Sequence, residues 1–337
     1  MIMGHSNWSD AAFASRQADR KARKTNAFDY DTHVRSSGKV EIHPEMNIFG
    51  KDRESRDSDA HPQSLALGII FDVTGSMGTV PRVLQTKLGA LMRVLLQRGY
   101  VDDPQILFGA IGDAYCDRVP IQIGQFESGL EMDDNLGKIY IEGGGGGQVF
   151  ESYELSLYYM AYHTKIDCYE KRGKKGYLFT IGDEKPYPYI QADQVRTHIG
   201  DEHVRAVDLE SVLTELNRRY HHFHIIPTNT SHGKNSDIQE LWRSLMQERI
   251  LLLENADAVC ETIALTIGLC EGSFASLASG SKDLHQAGAD SQAVEDASTA
   301  LQTYAKHAPK ALSQVSGTLL ALGNGTSNDD YDNDGRL

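Results

Sequence analysis

Asp72, Thr74 and Ser76 are the residues of this sequence best suited to chemistry. They place one carboxylate and two hydroxyls at alternate positions of Phe71-Asp72-Val73-Thr74-Gly75-Ser76-Met77-Gly78. Every metal-capable atom in that set is an oxygen. Neutral hydroxyls with few carboxylates suit a hard divalent cation that keeps several waters, Mg²⁺ before Ca²⁺ or Mn²⁺. Gly75 and Gly78 permit the turns that aim both hydroxyls at the spot Asp72 reaches.

The elements on either side must form a strand-to-helix loop. Leu65-Ala66-Leu67-Gly68-Ile69-Ile70 is a continuous apolar run, the pattern of a strand buried on both faces. Beyond the cluster, Val80, Leu84, Leu88, Leu91 and Leu95 repeat at helical spacing, with Pro81 in the first turn and Gly99 closing the helix. Such loops lie at the carboxyl edge of an open α/β sheet, where ligands bind at the point the strand order reverses. A cation beside a helix N-terminus meets an unfavourable dipole, so a carboxylate is required there, and Asp72 supplies it.

Asp-x-Thr-x-Ser after a buried strand resembles the metal-ion-dependent adhesion site of von Willebrand factor A (VWA) domains, whose pattern is Asp-x-Ser-x-Ser with Thr tolerated. That family adds a Thr from a second loop and an Asp from a third. Here Tyr177-Leu178-Phe179-Thr180-Ile181 has the pattern of a further buried parallel strand and ends in Gly182-Asp183-Glu184, which puts Asp183 where the third motif has its Asp. The second loop departs from the family. The glycines Gly143 to Gly147 precede a helical spacing of Leu155, Tyr158, Tyr159 and Tyr162, but no Thr appears. Gln148 offers an amide oxygen instead, and Glu151 a carboxylate that would hold metal more tightly without help from a partner.

The resemblance covers residues 63–271. It implies a module that is not an enzyme. A Mg²⁺ is held by one side, with a coordination position left for an acidic side chain of a protein partner, in intracellular bacterial members often an AAA+ ATPase or its client. It implies that Thr74 and Ser76 bind the metal directly, Asp72 and Asp183 directly or through water, and Gln148 or Glu151 from the second loop.

Other chemistries fit less well. A Mg²⁺-dependent phosphohydrolase of the haloacid dehalogenase type also starts from an Asp after its first strand, but its general acid belongs two residues on, where Thr74 stands. A serine hydrolase elbow needs Gly at that same position. A phosphate loop at the glycines lacks the following Gly-Lys-Ser/Thr and is flanked by Glu142 and Glu151, which repel an anion. His222 and His224 share a strand face at period two, yet no third zinc ligand has a matching spacing, so they are expected to be packed or surface side chains. Asp113 is expected to form a turn. Pro186-Tyr187-Pro188-Tyr189 should make a stiff aromatic rim beside the site.

The remaining chain gives the frame. Its 337 residues can hold one α/β domain of about 200 residues with appendages. A formal charge of −14 argues against a generic partner among nucleic acids or anionic membranes. No apolar run approaches the length of a membrane span, and Met1 to Ser6 lack a signal-peptide layout, so a cytoplasmic location is expected. Cys116, Cys168, Cys260 and Cys270 show no metal-type spacing and are expected to be reduced and packed.

Strand patterns at Ile106–Ile111, Val119–Phe126, His222–Pro227 and Ile250–Leu253 complete a doubly wound, mostly parallel six-stranded sheet of α/β class. Val119–Phe126 alternates and carries a proline, so it is expected as an antiparallel edge strand. Residues 1–62 are expected as an arm, partly extended or disordered, in which Trp8 and Phe13 with Ala11, Ala12 and Ala14 start a helix and Ala27–Tyr30 and Val40–Pro44 are extended. Lys171–Gly176 is expected as a solvated basic turn. Residues 272–323 suggest one helix through Leu284 to Tyr304 and a second after Pro309, packing back or offering an oligomer face, and 324–337 a disordered acidic tail.

Overall fold

The computed structural model describes residues 6–143, 149–202 and 205–307, and of Ser76 the backbone alone. Its centre is a six-stranded sheet. The strands are β1 (Ser64–Asp72), β2 (Asp103–Ile111), β3 (Ile121–Ile123), β4 (Gly176–Ile181), β5 (Tyr220–Pro227) and β6 (Ile250–Leu253). The spatial order is β6-β5-β4-β1-β2-β3. All neighbours pair in parallel except β2 and β3, the expected antiparallel edge pair.

The helices that position the site are α1 (Asp10–Arg23), α2 (Asp29–Ser37), α3 (Val80–Gln97), α4 (Glu131–Gly137) and α5 (Tyr153–Tyr162). Then come α6 (Leu209–Arg219), α7 (Ser236–Met246), α8 (Val259–Cys270), α9 (Leu277–Gln286) and α10 (Ser291–Ala300). After β1 the chain runs through α3 to β2 on one side. It later returns through α5 to β4 on the other side of β1. Right-handed crossovers in opposite directions put their helices on opposite faces. Accordingly α3 packs with α8, and α5 with α6.

β1 is buried along its whole length, as its unbroken apolar run requires. Gly68 within it admits close packing: a Cβ there would stand 2.8 Å from Leu178 Cδ1 and 3.0 Å from Met160 Cε of α5. The register pairs Phe71 with Ile181, so the chain leaves β1 at Asp72 beside the place where it leaves β4 at Gly182. The direction of winding reverses at this pair of strand ends.

The N-terminal region departs from the expected extended arm. Ala27–Tyr30 leads into α2 rather than a strand, and Phe13, Phe28, Met46 and Ile48 are buried in the main core. Its basic residues are paired: Arg20 Nη2 lies 2.8 Å from Asp133 Oδ2, and Arg16 Nη1 2.6 Å from Asp134 Oδ1. α1 forms where Trp8, Phe13 and the neighbouring alanines suggested a helix, whereas α2 was hidden because Val34 is its one buried apolar residue. The basic turn at Lys171–Gly176 is likewise ion-paired rather than only solvated. Arg172 Nη1 lies 2.7 Å from Asp57 Oδ2 and Lys174 Nζ 2.6 Å from Glu271 Oε2. Against the upward push of burial, hydrogen bonds from Arg172 and Ser64 bring the Asp57 carboxyl down to about 2.

The single helix expected through Leu284 to Tyr304 is broken. Gly288 takes a φ of +85°, and Asp290 caps the next helix by accepting from Gln292 and Ala293 N–H at 3.0 and 3.1 Å. These helices pack back, with α10 against α8. The expected helix after Pro309 and the acidic tail lie outside the described residues. Among those described, no helix is long and apolar enough to cross a membrane. Cys168 and Cys260 are buried and free as expected, whereas Cys116 is exposed.

Candidate metal centre

Asp72, the last residue of β1, is fully buried. Its Oδ1 accepts from both the backbone N–H and the hydroxyl of Thr74, each at 2.7 Å. This turn fixes the carboxylate. Its Oδ2 has no hydrogen-bond partner among the described residues. Thr74 thus orients Asp72 with the hydroxyl that the resemblance assigned to the metal.

Glu151 enters from the loop before α5. Phe150–Glu151 pairs in parallel with Lys185–Pro186, Glu151 opposite Pro186, and Lys185 N–H donates to the Val149 carbonyl at 2.8 Å. That two-residue ladder brings Glu151 beside Glu184. Glu184 is tied by Trp242 of α7, whose indole N–H donates to the Glu184 carbonyl oxygen at 2.8 Å. One carboxylate oxygen each of Asp72, Glu151 and Glu184 lies within 4.8 Å of the others. Opposite oxygens around a Mg²⁺ stand about 4.2 Å apart, so three oxygens so grouped suit a single ion. Among the described residues, Oε2 of Glu151 and of Glu184 receive no N–H or hydroxyl donor, and the two carboxyls hydrogen-bond each other.

All three carboxyls are raised above the ordinary range, chiefly by burial. Mutual repulsion adds to it: Glu184 and Asp183 act on Asp72, Asp72 and Glu184 on Glu151, and Asp183 on Glu184, while a hydrogen bond with Glu151 pulls Glu184 part of the way back. Three such groups ionise together only if a cation neutralises them.

Asp183 lies next to this trio. Its Oδ2 accepts the His232 backbone N–H at 2.8 Å, and His232 Nδ1 is 3.1 Å from Glu184 Oε1. Asp183, Glu184 and His232 form a second group of the same spread, sharing Glu184 with the first. Beneath them, His222 Nε2 and His224 Nδ1 each lie 2.9 Å from Thr180 Oγ1, and His224 stacks on Trp242 at 3.6 Å. Burial lowers His222 to about 3 and His224 well below its ordinary value, so both are neutral packed side chains.

The rim is aromatic. Tyr187 stacks on Phe150 at 5.1 Å and lies 4.6 Å from Tyr115, while its hydroxyl donates to Asp113 at 3.2 Å. Asp113 also accepts from Tyr115 N–H at 2.9 Å, the turn expected of it. Tyr115 and Tyr189 are exposed at this edge.

The structure therefore brings Asp72, Thr74 and Glu151 together, with Asp183 alongside. The backbone of Ser76 lies in the short turn Gly75–Met77, but its side chain is not described. Gln148 lies outside the described residues. Sequence reasoning missed Glu184, His232 and Tyr153. Glu184 had one available signal, its place directly after Asp183 at the end of a buried strand; the others had none.

No family model matches the chain, and no curated protein does. Among solved structures, the pilus adhesin SpaC from Lactobacillus rhamnosus GG is similar in its open conformation at 8% identity and a TM-score of 0.39, covering 66% of this chain and 31% of that one. A second crystal form of SpaC gives 10% identity and a TM-score of 0.41, with 65% and 32% covered. The chain thus spans about a third of the length of that adhesin. At those scores the likeness carries no weight for fold or function.

Proposed function

We propose that this chain is a metal-dependent protein-interaction module of the VWA type, working as an adaptor in the cytoplasm. In this reading the sheet edge is the metal-ion-dependent adhesion site of a doubly wound VWA domain, and it holds one Mg²⁺. The observation that supports it is the convergence of Asp72, Glu151 and Glu184, three buried carboxylates of which one oxygen each lies within 4.8 Å of the others. Hard oxygen donors favour Mg²⁺, with Ca²⁺ or Mn²⁺ as substitutes. Ser76, Gln148 and Asp183 are the further candidates for its coordination shell.

A partner protein's acidic side chain takes the last position, and an AAA+ ATPase or its client is the class the resemblance implies. The two glutamates distinguish this site from the family pattern. They hold the ion without the partner, so the partner adds to a preloaded site. The exposed Tyr115 and Tyr189 give it apolar surface to dock on. The reading is of a binder, not an enzyme. Where a phosphohydrolase carries its general acid, the Thr74 hydroxyl is engaged with Asp72.

Titration calorimetry of Mg²⁺ into wild type and Asp72→Ala, with a pull-down in Mg²⁺ against EDTA, tests it. Wild type should bind about one ion and retain a partner only with Mg²⁺, and the variant should do neither. A wild type that takes up no divalent cation would overturn the reading.

A further inference from the structure

Tyr153 opens α5 two residues after Glu151, and its side chain is fully buried. Two edge-on contacts fix the ring: His224 at 5.4 Å and Trp242 at 5.3 Å between centroids. They aim the hydroxyl under Gly182, where a Cβ would stand only 1.8 Å from it. Glycine is needed at 182 for that reason, although its backbone is otherwise ordinary. The charged groups that act on the phenol are Asp72, Asp183, Glu184 and Glu151, all of them residues of the site.

Yet among the described residues the hydroxyl has no hydrogen-bond partner, and neither has Oδ2 of Asp72. Buried polar groups in proteins are almost always paired. A buried phenol and a buried carboxylate oxygen at the same site, neither with a partner among the described residues, call for a third group between them. Were the phenol only a packing element, Phe would fill the place without the buried polar atom.

We propose that Tyr153 is a positioning residue for the cation's water: the phenol oxygen accepts a hydrogen bond from a water carried by the ion and so fixes the shell on the side facing the sheet. This rests on the metal-site reading above. It adds a neutral group from the helix that follows the second loop, where the sequence offers no threonine. The side chains that point the hydroxyl, Trp242 and His224, come from α7 and β5, so the water's position is set by the core rather than by the loops.

Tyr153→Phe removes one oxygen and tests the proposal, with Mn²⁺ as the probe. Wild type should bind Mn²⁺, and the variant should bind it about tenfold more weakly, as losses behind a metal ligand set usually do. The water-proton relaxation of the bound Mn²⁺ should change as well, which loss of packing alone would not produce. In EDTA the variant should melt at or above the wild-type temperature, because the hydroxyl serves only the loaded site. Unchanged affinity and relaxation would overturn the proposal while leaving the metal reading intact. So would a variant that melts lower in EDTA or fails to fold, since the hydroxyl would then be serving the fold. If wild type binds no Mn²⁺, both fall together.

Discussion

Glu151 and Glu184 approach within 4.8 Å because the residues beside them, Phe150–Glu151 and Lys185–Pro186, form a ladder of their own outside the main sheet. Burial, with the Asp183 charge beside it, makes the Glu184 carboxylate costly while the site is empty. Glu184→Gln should therefore stabilise the metal-free protein, by at least about 1 kcal/mol at neutral pH. The same change should abolish the melting increase that Mg²⁺ gives wild type, which at a hundredfold excess over Kd is worth about 2.7 kcal/mol. Thermal melts of both proteins in EDTA and in Mg²⁺ check both halves. A variant less stable in EDTA would show that Glu184 serves the fold.

The sheet was legible because its central strands β1 and β4 are apolar runs and its edge strand β3 alternates, and Asp72 and Asp183 were legible because the central strands end at them. The ladder that delivers Glu151 to Glu184 was not, since Phe150–Glu151 and Lys185–Pro186 have no period and gain their pairing only once β1 and β4 are side by side. Of the N-terminal helices, α1 was signalled by Trp8, Phe13 and the alanines around them, while α2 was hidden for a related reason. Val34 is the one buried apolar residue of α2, and a single apolar anchor sets no periodicity. The break at Gly288 was readable in the sequence, but the apolar spacing on either side suggested continuity.

Acidity should affect the empty site in a definite direction. Burial, with the neighbouring charges, raises Asp72, Glu151 and Glu184, so the folded protein keeps protons that the unfolded chain loses near pH 4. Where the folded state binds more protons, stability falls as pH rises. In EDTA the melting temperature should drop from about pH 5 toward pH 8, after allowance for other groups. With saturating Mg²⁺ the drop should vanish, because the ion binds the deprotonated form. Equal slopes in the two conditions would mean these carboxyls do not share a cation.

Gly182→Ala should be costly despite its small size. The new Cβ would meet the Tyr153 hydroxyl at 1.8 Å and its Cζ at 2.7 Å, and His224 and Trp242 leave the ring no easy retreat. Overpacking of this kind costs about 1–3 kcal/mol. Urea unfolding measures it, and a loss under about 0.5 kcal/mol would show that the ring moves freely.

Residues 63–271 alone should not form a stable, soluble domain. Phe13, Phe28, Met46 and Ile48 before that range and Leu284, Val294, Ala297 and Leu301 after it are buried in the same core as the sheet. The Phe13 ring lies on α3, with Cδ1 2.8 Å from where a Cβ of Gly89 would be. Removing both flanks uncovers α3 and α8 together, and each buried side chain of this size contributes about 1.5–3 kcal/mol. Since whole domains are stable by only about 5–15 kcal/mol, the trimmed chain should aggregate or melt without cooperativity in circular dichroism. Phe13→Ala in the full chain is the milder version, with an expected loss of about 3–5 kcal/mol in urea unfolding. A cooperative, monomeric 63–271 fragment would show that the flanking helices are attached to a core that does not need them.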